Sequence, residues 1–423
     1  MRDTPPYAPV DALRHTAGSS LEVILKVTER CNIACTYCYF FFAGNDSHAE
    51  HPSLLKRDGF LETVDFLAKA LEEHQLDRIQ IDFHGGEPLL VKPEYFAWMC
   101  ETLQERLGAC PQLILAVQTN AMLVNDTWIE LFGRFNIQVG VSIDGPSEYN
   151  DRFRVDHKGR GTHAKVVEGI RALQAAHARG VMDDLGVLCV INPDFDITRV
   201  YRHIVDELGV RNLNFLLPDV AGSTYGPGAA KAMIPILREL TALWLADTSV
   251  NLTFLRKPFQ RFLAGGRYDE EMARFRQLKA PILTIYSNGE IGPDDAIRPL
   301  APELFVTGLN VATSSLTDVM THPDLVAHVH RSFSLPKDCE ACCWRNMCRG
   351  GELSHRPTAD GGFAARSAYC EALSDMYAEL AAAAINQGAR LDSVAGVLGL
   401  RPDELGEEPA AAPSPAMLQT VAS

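Results

Sequence analysis

The chain is 423 residues long, enough for two or three domains, and its 47% apolar and 22% charged content is that of an ordinary soluble globular protein. A net charge of −15 excludes the basic face that phosphate-backbone binding requires, so nucleic acid is not an expected partner. No stretch approaches membrane-span length and the N-terminus lacks a signal peptide's apolar core, so the 11 cysteines read as thiols and metal ligands in the cytoplasm, not as disulfides.

Residues 1–20 are polar and Pro-containing and read as a surface arm. Beyond them, apolar runs and alternations predict strands at 21–27, 79–83, 113–118, 137–143, 185–191 and 212–217. Helical spacing, as in Phe60, Val64, Leu67 and Leu71 or Phe96, Met99, Leu103 and Leu107, predicts helices between the first three. Further helices are expected at 127–132, 163–179 and 199–208. Six βα repeats imply an α/β fold, a partial (β/α)6 TIM-like barrel over 21–225, with ligand sites at the carboxyl ends of its strands. After a Gly-rich connection at 221–228, residues 226–281 read as a helical linker. The segment ILTIYSNGEIGP (282–293) predicts a hairpin turning at Asn288-Gly289, opening a region, 282–375, that ends rich in cysteine. Residues 376–423 complete an Ala-rich helix (371–387) and an Ala/Pro tail expected to be disordered beyond about 406.

The first strand runs into CNIACTYC, where Cys31, Cys35 and Cys38 have C-x3-C-x2-C spacing. Three thiolates on one short loop can hold three irons of a cubane cluster and leave the fourth iron open for chemistry. A structural zinc loop or three unrelated core cysteines are plainer readings, but zinc loops use paired C-x2-C units. Tyr37 before the third cysteine, with Tyr39, Phe40, Phe41 and Phe42 after it, supplies the apolar wall that a low-potential iron–sulfur centre needs. In HGGEP, Gly85 and Gly86 permit close backbone approach to a ligand and Pro88 fixes the turn after Glu87; a sterically forced loop is the alternative. Gln118, Thr119 and Asn120 close the third strand, and Ser142 and Asp144 the fourth, with Arg152 and Arg154 in the loop beyond. Cys100 and Cys110 lack partners and read as structural. Cys339, Cys342 and Cys348 have C-x2-C-x5-C spacing, Cys370 follows 22 residues later, and Cys343 could substitute for Cys342. In IGPDD, Asp294 and Asp295 are neighbours; two close carboxylates raise the pKa of one, which suits a proton acceptor, although ordinary turn residues would look the same.

CNIACTYC after a first strand, HGGEP at 84–88, QTN at 118–120 and SIDG at 142–145 resemble, in spacing and order, the radical S-adenosylmethionine (SAM) superfamily. The resemblance implies a 4Fe–4S cluster on Cys31, Cys35 and Cys38, with the SAM amino and carboxylate groups on the fourth iron. Reduction would cleave SAM to a 5′-deoxyadenosyl radical. It further implies that the 85–87 backbone and Glu87 receive the SAM amino group, and that Ser142 and either Arg152 or Arg154 help to hold SAM. Gln118, Thr119 and Asn120 would suit ribose hydroxyls or cap the next segment. Residues 187–191 and 215–217, up to Leu217, would line the adenine or simply pack the core.

The second cysteine group looks like part of a SPASM domain, the extension that carries auxiliary clusters in radical enzymes that modify peptides. The full pattern has seven cysteines and two auxiliary clusters. Here no cysteine lies between Cys189 and Cys339, Glu352 stands where one is expected, and Asp294 replaces another. The remaining set implies one auxiliary 4Fe–4S cluster on Cys339, Cys342, Cys348 and Cys370, or a structural zinc there. In sulfatase-maturing relatives the aspartate after the missing hairpin cysteine acts as a base, and Asp295 matches it. The layout is similar to Xye-type radical SAM/SPASM maturases, sharing FHGGEPL, SIDGPSEYNDRFRVDHKGRGT, FLLPD and HRPTADGGF…YC over about 20–375. That likeness implies a ribosomal precursor peptide as substrate and a flavodoxin- or ferredoxin-type reductant. The reaction would abstract a β-hydrogen two residues after an aromatic one, join the carbon radical to the ring, and lose a proton and an electron to leave a cyclophane crosslink. The rivals are formylglycine formation in a sulfatase and a non-catalytic iron–sulfur or zinc scaffold that binds a peptide.

Overall fold

The computed structural model describes residues 20–42, 47–219, 229–264, 282–356, 358 and 362–400. The expected arm up to residue 19, the whole Gly-rich connection, residues 265–281 of the expected linker and the tail beyond 400 therefore lie outside the described residues. Among the described residues nine strands, numbered β1 to β9 in chain order, form one sheet in the order β7-β6-β5-β4-β3-β2-β1-β8-β9. The interior strand β1 (Ser20–Thr28) alternates as SLEVILKVT demands, with Leu21, Val23, Leu25 and Val27 all fully buried against the helical layer. It pairs in parallel with β2 (Arg78–Gly85), which puts Lys26 beside His84, and β3 (Gln112–Thr119) and β4 (Gln138–Ser142) continue the series. β5 (Gly186–Val190) and β6 (Asn212–Leu216) complete it.

The crossovers are α1 (Arg57–His74), α2 (Pro93–Leu107), α3 (Asp126–Arg134), α4 (Ser147–Phe153), α5 (His163–Ala178) and α6 (Ile197–Arg202). Each buries one stripe: Phe60, Val64 and Leu67 of α1 are fully buried, and sealing such a side chain contributes about 1.5–3 kcal/mol. Local chemistry sets the starts. Pro93 opens α2, Asn125 accepts a hydrogen bond from Trp128 N to cap α3, and Asp196 caps α6.

Four features differ from the sequence expectation. α4, too short to show a periodicity, turns the expected loop after β4 into helix, so Arg152 sits on α4 and Arg154 caps its end. The helix expected at 199–208 ends at Arg202 and passes into a π-helical turn, His203–Glu207. The linker supplies α7 (Ala229–Ala246), strand β7 (Asn251–Leu252) beside β6, and α8 (Thr253–Ala264). β8 (Ile282–Ile285) of the hairpin pairs in parallel with β1, and only β9 (Ile291–Gly292) runs antiparallel to it. The boundary drawn at 282 thus falls inside the barrel sheet.

After α9 (Leu316–Thr321) and α10 (Pro323–Phe333), the cysteine-rich turns lead into α11 (Cys370–Asn386), which packs against α7 and α8. A further helix, α12 (Leu391–Leu398), follows. A second apolar cluster of Phe40, Tyr286, Ile297, Leu304, Phe305 and Phe363 joins the first cysteine loop to the hairpin region. Among the described residues no helix is long and apolar enough to cross a membrane.

Candidate active site

The loop bearing Cys31, Cys35 and Cys38 is tied on three sides. Gly86 N and Glu87 N donate to Thr28 O and Arg30 O, each at 2.9 Å, which docks the HGGEP turn on the loop's start. Both glycines are required there: a Cβ on Gly85 would lie 1.9 Å from Thr28 O, and one on Gly86 2.2 Å from Arg30 O. They admit the protein's own backbone, a role the sequence reading assigned to a ligand. On the second side, Ala34 N and Thr36 N donate to Val155 O and Phe153 O (2.7 and 3.0 Å), and the His157 ring bonds Cys31 O at 2.8 Å. On the third, Asn120 Nδ2 donates to Asn32 Oδ1 at 2.7 Å and lies 4.0 Å from Cys31 Sγ.

Glu87 is buried, and its carboxylate is spent inside the fold. It accepts from Leu89 N (2.9 Å), Thr119 Oγ1 (2.7 Å) and Asn120 N (2.8 Å), locking the end of β3 to the HGGEP turn. Gln118 donates through Nε2 to Ser142 Oγ at 2.8 Å, linking the third and fourth strand ends.

Tyr37, Asp144 and Arg154 form one buried polar network. Tyr37 O–H donates to Asp144 Oδ2, Arg154 Nη1 donates to Tyr37 Oη at 3.0 Å, and the Arg154–Asp144 ion pair spans 4.0 Å. Asp144 Oδ1 also accepts from Val190 N at 3.2 Å. Arg154 Nε has no partner among the described residues. Arg152 lies elsewhere: it is exposed, with its guanidinium 5.4 Å from the Phe195 ring. Of the two candidate arginines, the structure brings only Arg154 to the cysteine loop. Leu217 is buried at the end of β6, and the neighbouring Pro218 O accepts from Tyr369 O–H at 2.7 Å.

Burial pushes the Cys31 thiol up to about 12 and the Cys35 thiol up to about 11, and also raises Cys38. Arg154 opposes the shift at Cys35. Three thiols that resist ionisation in a dry wall suit a cationic metal centre, whose charge displaces their protons. The donor set, the unpartnered Arg154 Nε and the fixed loop fit an iron–sulfur cluster.

A second buried network joins Asp295, Asp294 and Tyr39, which the sequence reading named, to Lys26, which it did not single out. Lys26, fully buried on β1, forms an ion pair with Asp295 and places its Nζ 3.2 Å from His84 Nδ1 and 4.6 Å from the Phe40 ring centre. Tyr39 O–H donates to Asp295 Oδ2 at 3.1 Å. Although burial opposes it, Lys26 holds the Asp295 carboxyl below its usual range. Asp294, which caps the next turn by accepting from Ala296 N, is pushed up to about 6 by burial and by Asp295. The signal for Lys26 was visible: a charge at the inner end of an apolar strand, in the run ILKV.

Cys339, Cys342, Cys348 and Cys370 line one cavity, together with Trp344, Arg345, Gly350, Arg366, Ser367 and Ser374. Cys343 is exposed and outside that lining, which separates it from Cys342. Gly350 (φ 88°) and Gly351 (φ 83°) turn the chain back after Cys348; a Cβ on Gly350 would meet Pro336 Cδ at 2.6 Å. Cys100 and Cys110 are buried away from both groups.

Residues 25–196 match the radical SAM superfamily. A serine-type anaerobic sulfatase-maturating enzyme from Bacteroides thetaiotaomicron is 34% identical over 144 residues, 34% of each chain. A cysteine-type enzyme from Clostridium novyi is 26% identical over 43% of this chain and 47% of its own, so these two alignments span only a third to a half of those relatives. A cysteine-type enzyme from Clostridium perfringens aligns over 84% of this chain and 95% of its own, at 21% identity. The solved structure of native anSMEcpe with bound AdoMet and Cp18Cys peptide superposes with a TM-score of 0.72 at 20% identity, covering 87% of this chain and 98% of that one. The likeness indicates an enzyme: residues 25–196 are a radical SAM domain, in a chain whose fold, a partial radical SAM barrel followed by a SPASM-type region, is that of the anaerobic sulfatase-maturating enzymes.

Proposed function

We propose that this protein is a radical SAM peptide-modifying enzyme that forms an aromatic-to-Cβ crosslink, a cyclophane, in a ribosomally made precursor peptide. The observation that carries the radical chemistry is the loop of Cys31, Cys35 and Cys38, strapped by 153–157 and HGGEP beside the buried Tyr37–Asp144–Arg154 network. These cysteines would hold a 4Fe–4S cluster, and Arg154, with its free Nε, would hold the SAM carboxylate; Gln118, Asn120 and Ser142 lie at the neighbouring strand ends. When bound, cluster and SAM would supply one-electron reductive cleavage, the source of hydrogen-atom abstraction. The chain's own part is to exclude water and to place the peptide at the carboxyl ends of the strands.

Closing the crosslink releases a proton and an electron. The Asp294–Asp295 pair would take the proton: Lys26 keeps Asp295 ionised as the acceptor, and Asp294, raised to about 6, passes it outward. The electron would go to an auxiliary 4Fe–4S cluster on Cys339, Cys342, Cys348 and Cys370. The four thiols line one cavity, which suits a cluster held by all four. A flavodoxin- or ferredoxin-type protein in the cytoplasm would supply the initiating electron.

Formylglycine formation is the second reading, favoured by the alignment with the Clostridium perfringens enzyme over 84% of this chain. Only one auxiliary set of cysteines remains here, which favours the crosslink. Co-expression with a candidate precursor peptide, followed by mass spectrometry, separates the readings. Loss of two hydrogens with an intact backbone marks the crosslink, an aldehyde at a cysteine or serine marks formylglycine, and no 5′-deoxyadenosine with SAM and dithionite refutes both.

A further inference from the structure

Arg356 is 2% exposed, yet the fold satisfies only part of it. Its Nε donates to Ala365 O at 3.1 Å and Nη2 to Ser334 O at 3.3 Å, while Nη1 has no partner among the described residues. A buried cation is costly without an anion near it, and this one has no carboxylate partner among the described residues. The groups at hand are the thiols. Gly350 packs on the guanidinium, a Cβ there lying 3.6 Å from Arg356 Cζ, and Gly350 itself lines the four-cysteine cavity two residues after Cys348. Arg366 Nη1 lies 3.8 Å from Cys370 Sγ, and Arg345 Nη1 donates to Cys342 O at 3.3 Å. Four sulfur ligands are thus ringed by three guanidinium groups, of which Arg356 alone is buried.

We infer that Arg356 is the counter-cation of the auxiliary centre, and that its buried charge behind the Gly350 wall of the four-cysteine cavity raises the reduction potential of the iron–sulfur cluster held there. The inference rests on the auxiliary cluster proposed above. Each electron added makes a four-thiolate cluster one unit more negative, and a fixed positive charge in a low-dielectric wall favours that reduced state. The centre would thereby be poised to accept the electron released at crosslinking rather than to deliver one. A zinc tetrathiolate would be paired by the same charge but has no reduced state for that charge to favour.

The test is an EPR-monitored redox titration of the anaerobically purified full chain carrying Cys31→Ala, Cys35→Ala and Cys38→Ala, so that only the auxiliary signal remains. Arg356→Gln is expected to lower the equilibrium constant for reduction about tenfold, about 59 mV for a one-electron couple, with iron content unchanged. Arg356→Lys, which keeps the charge, should recover most of the shift. Should Arg356→Gln fail to retain iron, Arg356→Met, which fills the same buried space without the charge, gives the same reading. Full iron content with an unchanged potential in Arg356→Gln, or in Arg356→Met where that substitutes for it, overturns the inference and leaves the cluster standing. Zinc without iron in the parent triple variant overturns the auxiliary cluster itself, and this inference with it.

Discussion

Lys26 and Asp295 form an ion pair sealed inside the barrel mouth, their side chains 0% and 3% exposed. Such a pair is weak evidence for stability, because desolvation offsets its attraction, but stranding one partner leaves an uncompensated buried charge. Lys26→Met is therefore expected to destabilise the protein by about 3–5 kcal/mol. Lys26→Met combined with Asp295→Leu should recover most of that loss while abolishing crosslinked product. Calorimetric unfolding under anaerobic conditions measures both; equal stability of the single and double variants would show that the pair is uncoupled.

Asp294 gives a pH dependence of defined sign. Its folded pKa of about 6 lies above the ordinary carboxylate value, so between roughly pH 4 and 6 the folded protein binds more protons than the unfolded chain. Stability contributed by this group then falls as pH rises through that window and stays reduced above it. Asp294→Asn cannot ionise, and asparagine still accepts from Ala296 N. The variant should gain roughly 1–3 kcal/mol over the parent at pH 7 and nothing at pH 4, read as a difference in Tm at the two pH values.

The two arginines after β4 predict opposite outcomes. Arg154 is buried within the network that braces Cys35, whereas Arg152 lies on the exposed face of α4 over Phe195. Removing a charge-assisted contact is worth roughly a factor of 10–100 in affinity. Arg154→Gln should weaken SAM binding by that much in equilibrium titration of the reconstituted enzyme, and Arg152→Gln should leave it within about twofold. Reversed results would move the SAM carboxylate to the other arginine.

Much of this was legible in the chain because the signals are local. The six βα units announce themselves by apolar periodicity, and Cys31, Cys35 and Cys38 by their spacing on one loop. What escaped depends on contacts between distant residues. Nothing in SEYNDRFRV says that its backbone will strap the cysteine loop through Val155 O and Phe153 O. ILTI reads equally well as a hairpin strand and as the neighbour of β1, and only the sheet decides. Glu87 looked like a ligand for an amine because sequence gives no hint that Leu89, Thr119 and Asn120 already occupy its oxygens.

The turn after Cys348 offers a test that acts on one metal centre alone. Arg349, Gly350 and Gly351 all have positive φ (57°, 88° and 83°), which carries the chain from Cys348 back toward Ser367 and Cys370. Alanine at 350 would adopt a conformation that costs about 1–2 kcal/mol and would drive its Cβ against Pro336 Cδ at 2.6 Å. The strain falls on the four-thiol cavity and leaves the loop of Cys31, Cys35 and Cys38 untouched. Gly350→Ala should therefore lower iron content from about eight to about four per chain, the difference of one cubane cluster. Reductive cleavage of SAM to 5′-deoxyadenosine should continue in this variant while crosslinked peptide fails to accumulate. Parallel loss of both activities would mean that the two centres do not assemble independently.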